Sequence, residues 1–338
     1  MKFLFVSSGN NKFGIGPIVK AQGESLRNAG IAVEYFTIVG KGFKGYISNI
    51  FTLRKFLKVN RFDFVHSHFL LSSIVATLSN PIYLVVSLMG SDAYTSKFWN
   101  FLIKLFHKRW DATIVKSERM KEVLGLDDLY VIPNGVDIEK FHPINKQIAR
   151  QKLGWDEKKY ILFASSPDRP EKNYQLAKEA ITELKSEVEL VTLQDIAHEK
   201  IVHYLNAADV LLMTSKYEGS PNIIKEAMAC NCPIVTTDVG DVDWVVGKTE
   251  GCYLISKNEK LKIKNLETEL VKETSDKIQE ALNFAENVGR TKGRERIIEL
   301  GLDSETVAQK IISIYKKVLK TDNDLNGKEI KEHAEKPL

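Results

Sequence analysis

The sequence predicts an α/β protein of two doubly wound domains, and three observations carry that prediction. Short runs of β-branched and aromatic residues alternate with helical patterns along most of the chain. The runs are apolar at consecutive positions, as in a parallel sheet covered on both faces. The alternation also starts afresh after a cluster of turn residues, Pro133-Asn134-Gly135-Val136-Asp137. A chain of 338 residues exceeds one ordinary domain and falls short of three.

In the first half, Lys2 to Val6, Ala32 to Val39, Asp63 to Ser67, Ile82 to Leu88, Ala112 to Lys116 and Tyr130 to Ile132 are the expected strands, with helices between them. The first helix is expected to open at Pro17 and stop at Gly30, the residue types favoured just inside and just past a helix. In the second half the expected strands are Tyr160 to Ala164, Val188 to Leu193, Asp209 to Met213, Pro233 to Thr236 and Cys252 to Ile255. From about Asn265 the pattern is helical, and Ser304 to Leu319 is amphipathic, with Val307, Ile311, Ile312, Ile314, Tyr315 and Leu319 as its apolar positions. The expected boundaries are a first domain over 1–145, a second over 146–303, a final helix over 304–320 and a polar, frayed tail over 321–338.

Composition excludes several classes. With 43% apolar and 27% charged residues, both domains can bury a core. The formal charge of +4 lacks the strong, clustered excess of nucleic-acid binders. Cys230, Cys232 and Cys252 are odd in number and lack disulfide spacing, which points to a reducing compartment. The apolar run Phe3 to Val6 is too short for a signal peptide, and Phe69 to Leu88 is interrupted by hydroxyl residues and Asn80-Pro81, so no membrane span is expected. The expectation is a cytoplasmic chain.

The most informative segment is Tyr217-Glu218-Gly219-Ser220-Pro221-Asn222-Ile223-Ile224-Lys225-Glu226-Ala227-Met228-Ala229-Cys230. It follows the strand Asp209 to Met213 and is expected to open a helix with Ser220 as cap and Pro221 in the first turn. A helix start at the carboxyl end of a parallel strand offers free N–H groups and a positive dipole end to phosphate. Glu218 and Glu226 flank that start, placed to accept hydroxyl hydrogen bonds on either side of a diphosphate. The plainer reading is an ordinary capped helix with a solvated Glu226.

This segment, with His198-Glu199-Lys200, Asn206 to Val210, Pro233-Ile234-Val235 and Asp238-Val239-Gly240, resembles the donor-binding half of the retaining glycosyltransferases of family four. The resemblance extends over nearly the whole chain. It implies two Rossmann-like domains facing across a cleft, the GT-B arrangement, with a C-terminal helix crossing back to the first domain. It implies transfer of a sugar from a nucleotide sugar to a glycan or lipid-linked acceptor, without a metal or other cofactor. The family's E-x7-E motif matches Glu218, implied to hold sugar hydroxyls, and Glu226, implied to hold the ribose. Gly219, Ser220, Asn222 and Ile223 fall within the same donor-binding stretch.

Upstream, Asp168-Arg169-Pro170-Glu171-Lys172-Asn173 directly follows a strand, and a cation there would neutralise a leaving diphosphate. The resemblance assigns Lys172 to the phosphates, with Arg169 standing in for an arginine the family places earlier. In the first domain, Gly14 and Gly16 lie in a loop that the resemblance sets against the donor phosphates. His68 ends a strand and is the histidine expected to act in catalysis, ahead of His66, because Met89 occupies the position where relatives often carry one. Gly90, Ser91 and Asp92 keep the rest of that motif on the acceptor side.

Other signals are weaker. The loop Ser8 to Gly16 departs from a nicotinamide fingerprint, since Val19 stands where a last glycine belongs. Asp241-Val242-Asp243 spells a metal-binding D-x-D but is expected to be a loop and helix start. The cysteines have the wrong spacing for structural zinc. Compared with relatives, the second domain lacks about one β-α unit after Val188 to Leu193. Phe98, Phe101, Leu102, Leu105 and Phe106 are expected to face the core beneath a basic edge of Lys104, Lys108 and Arg109; the alternative rests this helix on the inner face of an anionic membrane as a peripheral contact. Two further functions fit the architecture: a sugar-nucleotide epimerase or phosphorylase, and a non-catalytic subunit that binds nucleotide sugar.

Overall fold

The computed structural model describes residues 1–10, 14–40, 42–94, 96–256 and 266–334. It divides into two compact units, one formed by Met1–Pro133 with the chain from Glu305 onward, the other by Asn134–Ser304.

In chain order the first unit contains β1 (Lys2–Ser8), α1 (Pro17–Asn28), β2 (Ala32–Ile38), α2 (Gly42–Val59), β3 (Phe64–His68), α3 (Leu70–Ser79), β4 (Leu84–Ser87), α4 (Gly90–Tyr94), α5 (Lys97–His107), β5 (Ala112–Val115), α6 (Glu118–Leu124) and β6 (Tyr130–Val131). The six strands are all parallel, in the order β2-β1-β3-β4-β5-β6. Strand side chains alternate between the two faces. Leu4, Val6, Val65, Leu84 and Val86 pack with Leu53 of α2, Val75 of α3 and Ile103 of α5. Phe3, Phe5, Phe64, Val85 and Ile114 pack on the other face with Val19 and Leu26 of α1.

The second unit contains α7 (Lys146–Leu153), β7 (Lys159–Phe163), α8 (Tyr174–Thr182), β8 (Val188–Thr192), α9 (Ile201–Ala207), β9 (Val210–Met213), α10 (Asn222–Ala229), β10 (Ile234–Thr237), α11 (Val242–Val246), β11 (Cys252–Ile255), α12 (Leu266–Asn287) and α13 (Gly293–Glu299). Its five parallel strands run β11-β10-β9-β7-β8. Helices α8 and α12 cover one face and α9, α10, α11 and α13 the other. A 3-10 turn (His198–Lys200) and one α-helix, α9, join β8 to β9.

The last helix, α14 (Ser304–Ala334), returns to the first unit. Its Val307, Ala308, Ile311, Ile312, Ile314 and Tyr315 complete the core beside Phe3, Phe5 and Phe64. The helical backbone continues to Ala334, past the end expected at residue 320. A helix once nucleated gains one backbone hydrogen bond per added residue, so it extends without an apolar face. Residues 335–338 of the expected tail lie outside the described residues.

Each sheet reverses its strand order once. In the first unit the reversal falls between β1 and β3, and in the second between β7 and β9. The loops leaving the carboxyl ends of such neighbours diverge to opposite faces and leave a crevice, where open α/β sheets bind ligands.

Candidate functional site

The loops after β7 and β9 form the candidate site of the second unit. Backbone and hydroxyl bonds tie them together. The Lys216 N–H donates to the Glu171 carbonyl at 2.8 Å, and the Thr214 hydroxyl lies 2.9 and 3.0 Å from the Lys172 and Asn173 carbonyls. Asn173 takes a positive φ of 53°, a left-handed conformation that Asn adopts more readily than most residues, between a short 3-10 turn and α8. Gly240 backs the second loop at a φ of +60°, and a Cβ there would lie 2.5 Å from the Gly219 carbonyl oxygen and 2.9 Å from that of Glu218. Glycine is the residue that permits this approach.

These bonds bring Lys172 and Glu218 together. Their ammonium and carboxylate form an ion pair that is mostly shielded from solvent, and the Ser215 hydroxyl donates to the same carboxylate oxygen at 2.9 Å. One flexible cation is thereby held at the carboxyl ends of both strands that border the strand-order reversal.

Glu226, in the second turn of α10, is buried at 5% exposure, whereas the plainer sequence reading had it solvated. His198 Nε2 lies 2.8 Å from its carboxylate, and the Lys140 ammonium lies 3.0 Å from His198 Nδ1. An ammonium only donates, so Nδ1 accepts and Nε2 carries the proton that points at Glu226. The sequence singled out His198 within the resemblance but gave it no partner, because Lys140, His198 and Glu226 are far apart in the chain and share no spacing pattern.

The helix start differs in detail from expectation. Pro221 is the N-cap of α10 and Asn222 its first residue. A φ of −69° suits a proline at the cap as well as in the first turn, so sequence alone placed the boundary one residue early. Ser220 is therefore no cap. Its hydroxyl donates to Asp241 at 2.6 Å and accepts from the buried Lys225 ammonium at 2.5 Å. Burial lowers the Lys225 pKa, while Asp241 and Glu226 nearby oppose that shift. Asp241 is the N-cap of α11, in keeping with the helix start expected there. Gly219 is buried beside these groups, and Asn222 and Ile223 are half-buried. The Asn222 side chain accepts from Asn134 at 3.1 Å.

Arg169 is not brought to Lys172 and Glu218. It is more than half exposed, and its guanidinium turns to Glu171 two residues on, at 2.7 Å. A local carboxylate captures it, which the sequence reading did not weigh.

In the first unit, Gly14 has a φ of +74° in the loop after β1, and Gly16 is the N-cap of α1. His68 ends β3 at the strand-order reversal but is fully buried, with its ring stacked on His66 at 4.5 Å between centroids and packed on Phe5. Burial, with the Lys116 charge nearby, lowers its pKa to about 3, so the ring is neutral near pH 7. It has no solvent-facing edge, contrary to the expectation of a catalytic histidine. β3 is covered on both faces, and its last inward position is core. His66 is held by the Ser87 and Tyr315 hydroxyls at 2.8 and 2.5 Å. Gly90, Ser91 and Asp92 begin α4. The Asp92 carboxylate accepts the Met89 and Leu70 N–H groups at 2.7 and 3.1 Å, tying the loops after β4 and β3, and burial raises its pKa to about 6.

Among the described residues no three His, Cys, Asp or Glu side chains gather as a metal site, and the three cysteines are free thiols. Burial pushes the Cys252 thiol up to about 12 and the other two upward as well. Among the described residues no helix is long and apolar enough to cross a membrane. Helix α5 corrects the sequence expectation: Trp99, Leu102, Ile103 and Phe106 face the core, while Phe98, Phe101 and Leu105 are about 60% exposed.

Comparison with known proteins finds relatives for both units. Residues 17–140 match the model described as Glycosyltransferase Family 4, and residues 157–271 match the one described as Glycosyl transferases group 1. Both halves of the chain thus match glycosyltransferase families, and the fold is the GT-B architecture. It is 26% identical over 218 residues to TuaC of Bacillus subtilis, named for teichuronic acid biosynthesis, and that match covers 55% of this chain and 56% of TuaC. The chain thus spans little more than half the length of that relative. It is 25% identical over 279 residues to the UDP-Gal:alpha-D-GlcNAc-diphosphoundecaprenol alpha-1,3-galactosyltransferase of Escherichia coli, covering 69% of this chain and 71% of that enzyme. In fold it is similar to sucrose-phosphate synthase from Thermosynechococcus elongatus, with a TM-score of 0.78 at 17% identity over 95% of this chain and 100% of that one.

Proposed function

We propose that this glycosyltransferase belongs to the retaining enzymes of family four and moves a sugar from a nucleoside-diphosphate sugar to a glycan or lipid-linked acceptor without a metal ion. The observation that carries the reading is the placement of Lys172, Glu218 and Glu226 around the crevice between the loops after β7 and β9. In the reaction, the bond from the anomeric carbon to the diphosphate oxygen breaks and a bond to the acceptor oxygen forms on the same face. The departing diphosphate takes the acceptor proton. The largest demand is neutralising charge on that diphosphate.

Lys172 meets it, exchanging its bond with Glu218 for one to phosphate, and the start of α10 at Asn222 and Ile223 adds backbone N–H groups. Glu218, released from the ammonium, accepts sugar hydroxyls. Glu226 accepts the ribose hydroxyls, its carboxylate oriented by His198 and ultimately by Lys140. Arg169 needs only a side-chain rotation away from Glu171 to add a second cation. Gly90, Ser91 and Asp92 are assigned to the acceptor side within the first unit, with Asp92 as the brace of that loop.

A lipid-linked acceptor is supported by the diphosphoundecaprenol substrate in the name of the Escherichia coli relative and by the exposed stripe Phe98, Phe101 and Leu105 on α5. Exposed Lys97, Lys104 and Lys108 flank that stripe, the pattern of a helix lying on an anionic bilayer. Thermal unfolding with a panel of nucleotide sugars tests the proposal. A true donor at about one hundred times its dissociation constant stabilises by about 2.7 kcal/mol. A panel without any stabilising member contradicts it.

A further inference from the structure

A cavity of about 810 Å³ opens at the amino ends of β3 and β4, the edge of the first sheet opposite the loops that carry Gly14 and Gly90. Its wall forms where three helices finish. The last turns of α2 bring Arg54 and Lys58, the connection to β3 brings Arg61, Leu78 and Ser79 end α3, and Arg109 follows α5.

Four cations therefore converge on one concavity. Asp63 is the single carboxylate among its described lining residues, and that carboxylate accepts the Lys2 backbone N–H at 2.7 Å. Arg54 donates to the Leu78 carbonyl at 2.6 Å. Among the described residues, the side chains of Lys58, Arg61 and Arg109 have no hydrogen-bond or ion-pair partner. Helix carboxyl ends carry about half a negative charge each, which accounts for part of this attraction but leaves the cavity net positive. Like charges gathered on a concave surface focus the field and favour an anion. Guanidinium groups in particular match the geometry of phosphate oxygens.

A second feature selects the source of the phosphate. Ile82, on the lining, and Val59, beside Lys58, are 81% and 76% exposed, the highest values among the large apolar side chains of the described residues. A soluble phosphate ester would leave both in water. A bilayer takes apolar side chains at its headgroup boundary while its phosphates meet the cations.

We propose that this cavity seats the phosphate of an anionic membrane lipid, with Val59 and Ile82 entering the headgroup layer. The site is separate from the donor crevice of the second unit and does not depend on the roles assigned there.

The test is sedimentation of the full chain with vesicles of phosphatidylcholine alone or mixed with phosphatidylglycerol. Three variants are compared with the parent: Lys58→Gln with Arg61→Gln, Ile82→Ser, and a charge-matched control, Lys178→Gln with Lys185→Gln, on the exposed surface of the second unit. Binding should require phosphatidylglycerol and fall by roughly thirtyfold in the Lys58 and Arg61 variant, at the usual contribution of basic groups near an anionic surface. The control should stay within about twofold, because its charges lie outside the cavity. Ile82→Ser should weaken vesicle binding and leave calorimetric binding of soluble glycerol phosphate unchanged. Equal loss in the cavity variant and the control overturns the site. Binding of glycerol phosphate without binding to vesicles overturns the lipid as its source.

Discussion

Acid should weaken the first unit through His68, and the size of the effect follows from its burial. The ring titrates near 6.5 in an unfolded chain and at about 3 in the fold. The folded state therefore binds fewer protons between those values, and stability is lost as pH falls from 6.5 towards 3. Each pH unit in that window costs about 1.4 kcal/mol, so at about pH 4.5 the penalty from this one ring approaches 3 kcal/mol. His66, whose pKa is also lowered by burial, adds in the same direction. Asp92 acts oppositely: its raised value of about 6 means that acidification towards 4 favours the fold. A difference measurement isolates His68. In His68→Gln, hydrogen-exchange protection of the β1 and β3 amides, corrected for intrinsic exchange, should decline by about 3 kcal/mol less between pH 7 and 4.5 than in the parent. Identical pH dependence in both proteins would refute the argument, whatever the absolute stability of the variant.

Three further predictions concern the last helix and the transfer reaction. Ending the chain before Ser304 removes the α14 side chains that complete the core over Phe3 and Phe64, so the first unit should become protease-sensitive while peptides of the second unit stay protected; Tyr315→Phe, which strips His66 of one partner, should cost about 2 kcal/mol. Transfer activity should persist in excess chelator, since Lys172 and the α10 start supply the positive charge, whereas complete loss restored by manganese would show a metal to be required.

The strands were legible because a parallel sheet buried on both faces demands continuous apolar runs, and such runs are local in sequence. Each of the eleven lies within two residues of its expected ends. Glu218 and Lys172 were legible as a pair of strand-following loops, and the sheet order then brings them together. What failed to show was everything decided by a distant partner. Helix α5 carries two apolar stripes, Phe98-Phe101-Leu105 and Trp99-Leu102-Ile103-Phe106, each with helical spacing, and only packing tells which one is buried. The burial of Lys225 has no local signal, because it depends on Ser220 and on Asp241, sixteen residues away. His68 sat where cleft residues sit, yet its side chain falls on the inward phase of β3.

Calorimetry of the bare nucleoside diphosphate, selected by the donor panel, tests the central claim most directly. Glu226 is assigned to the ribose and Glu218 to the sugar, so the nucleotide alone should distinguish them. Glu226→Ala should weaken its binding by roughly ten- to a hundredfold, the loss of a hydrogen bond to a charged group. Glu218→Ala should keep nucleotide affinity within a few-fold and lose transfer. Nucleotide binding that is equally weakened in both variants, or unaffected by Glu226→Ala, would contradict the assignment of the two carboxylates.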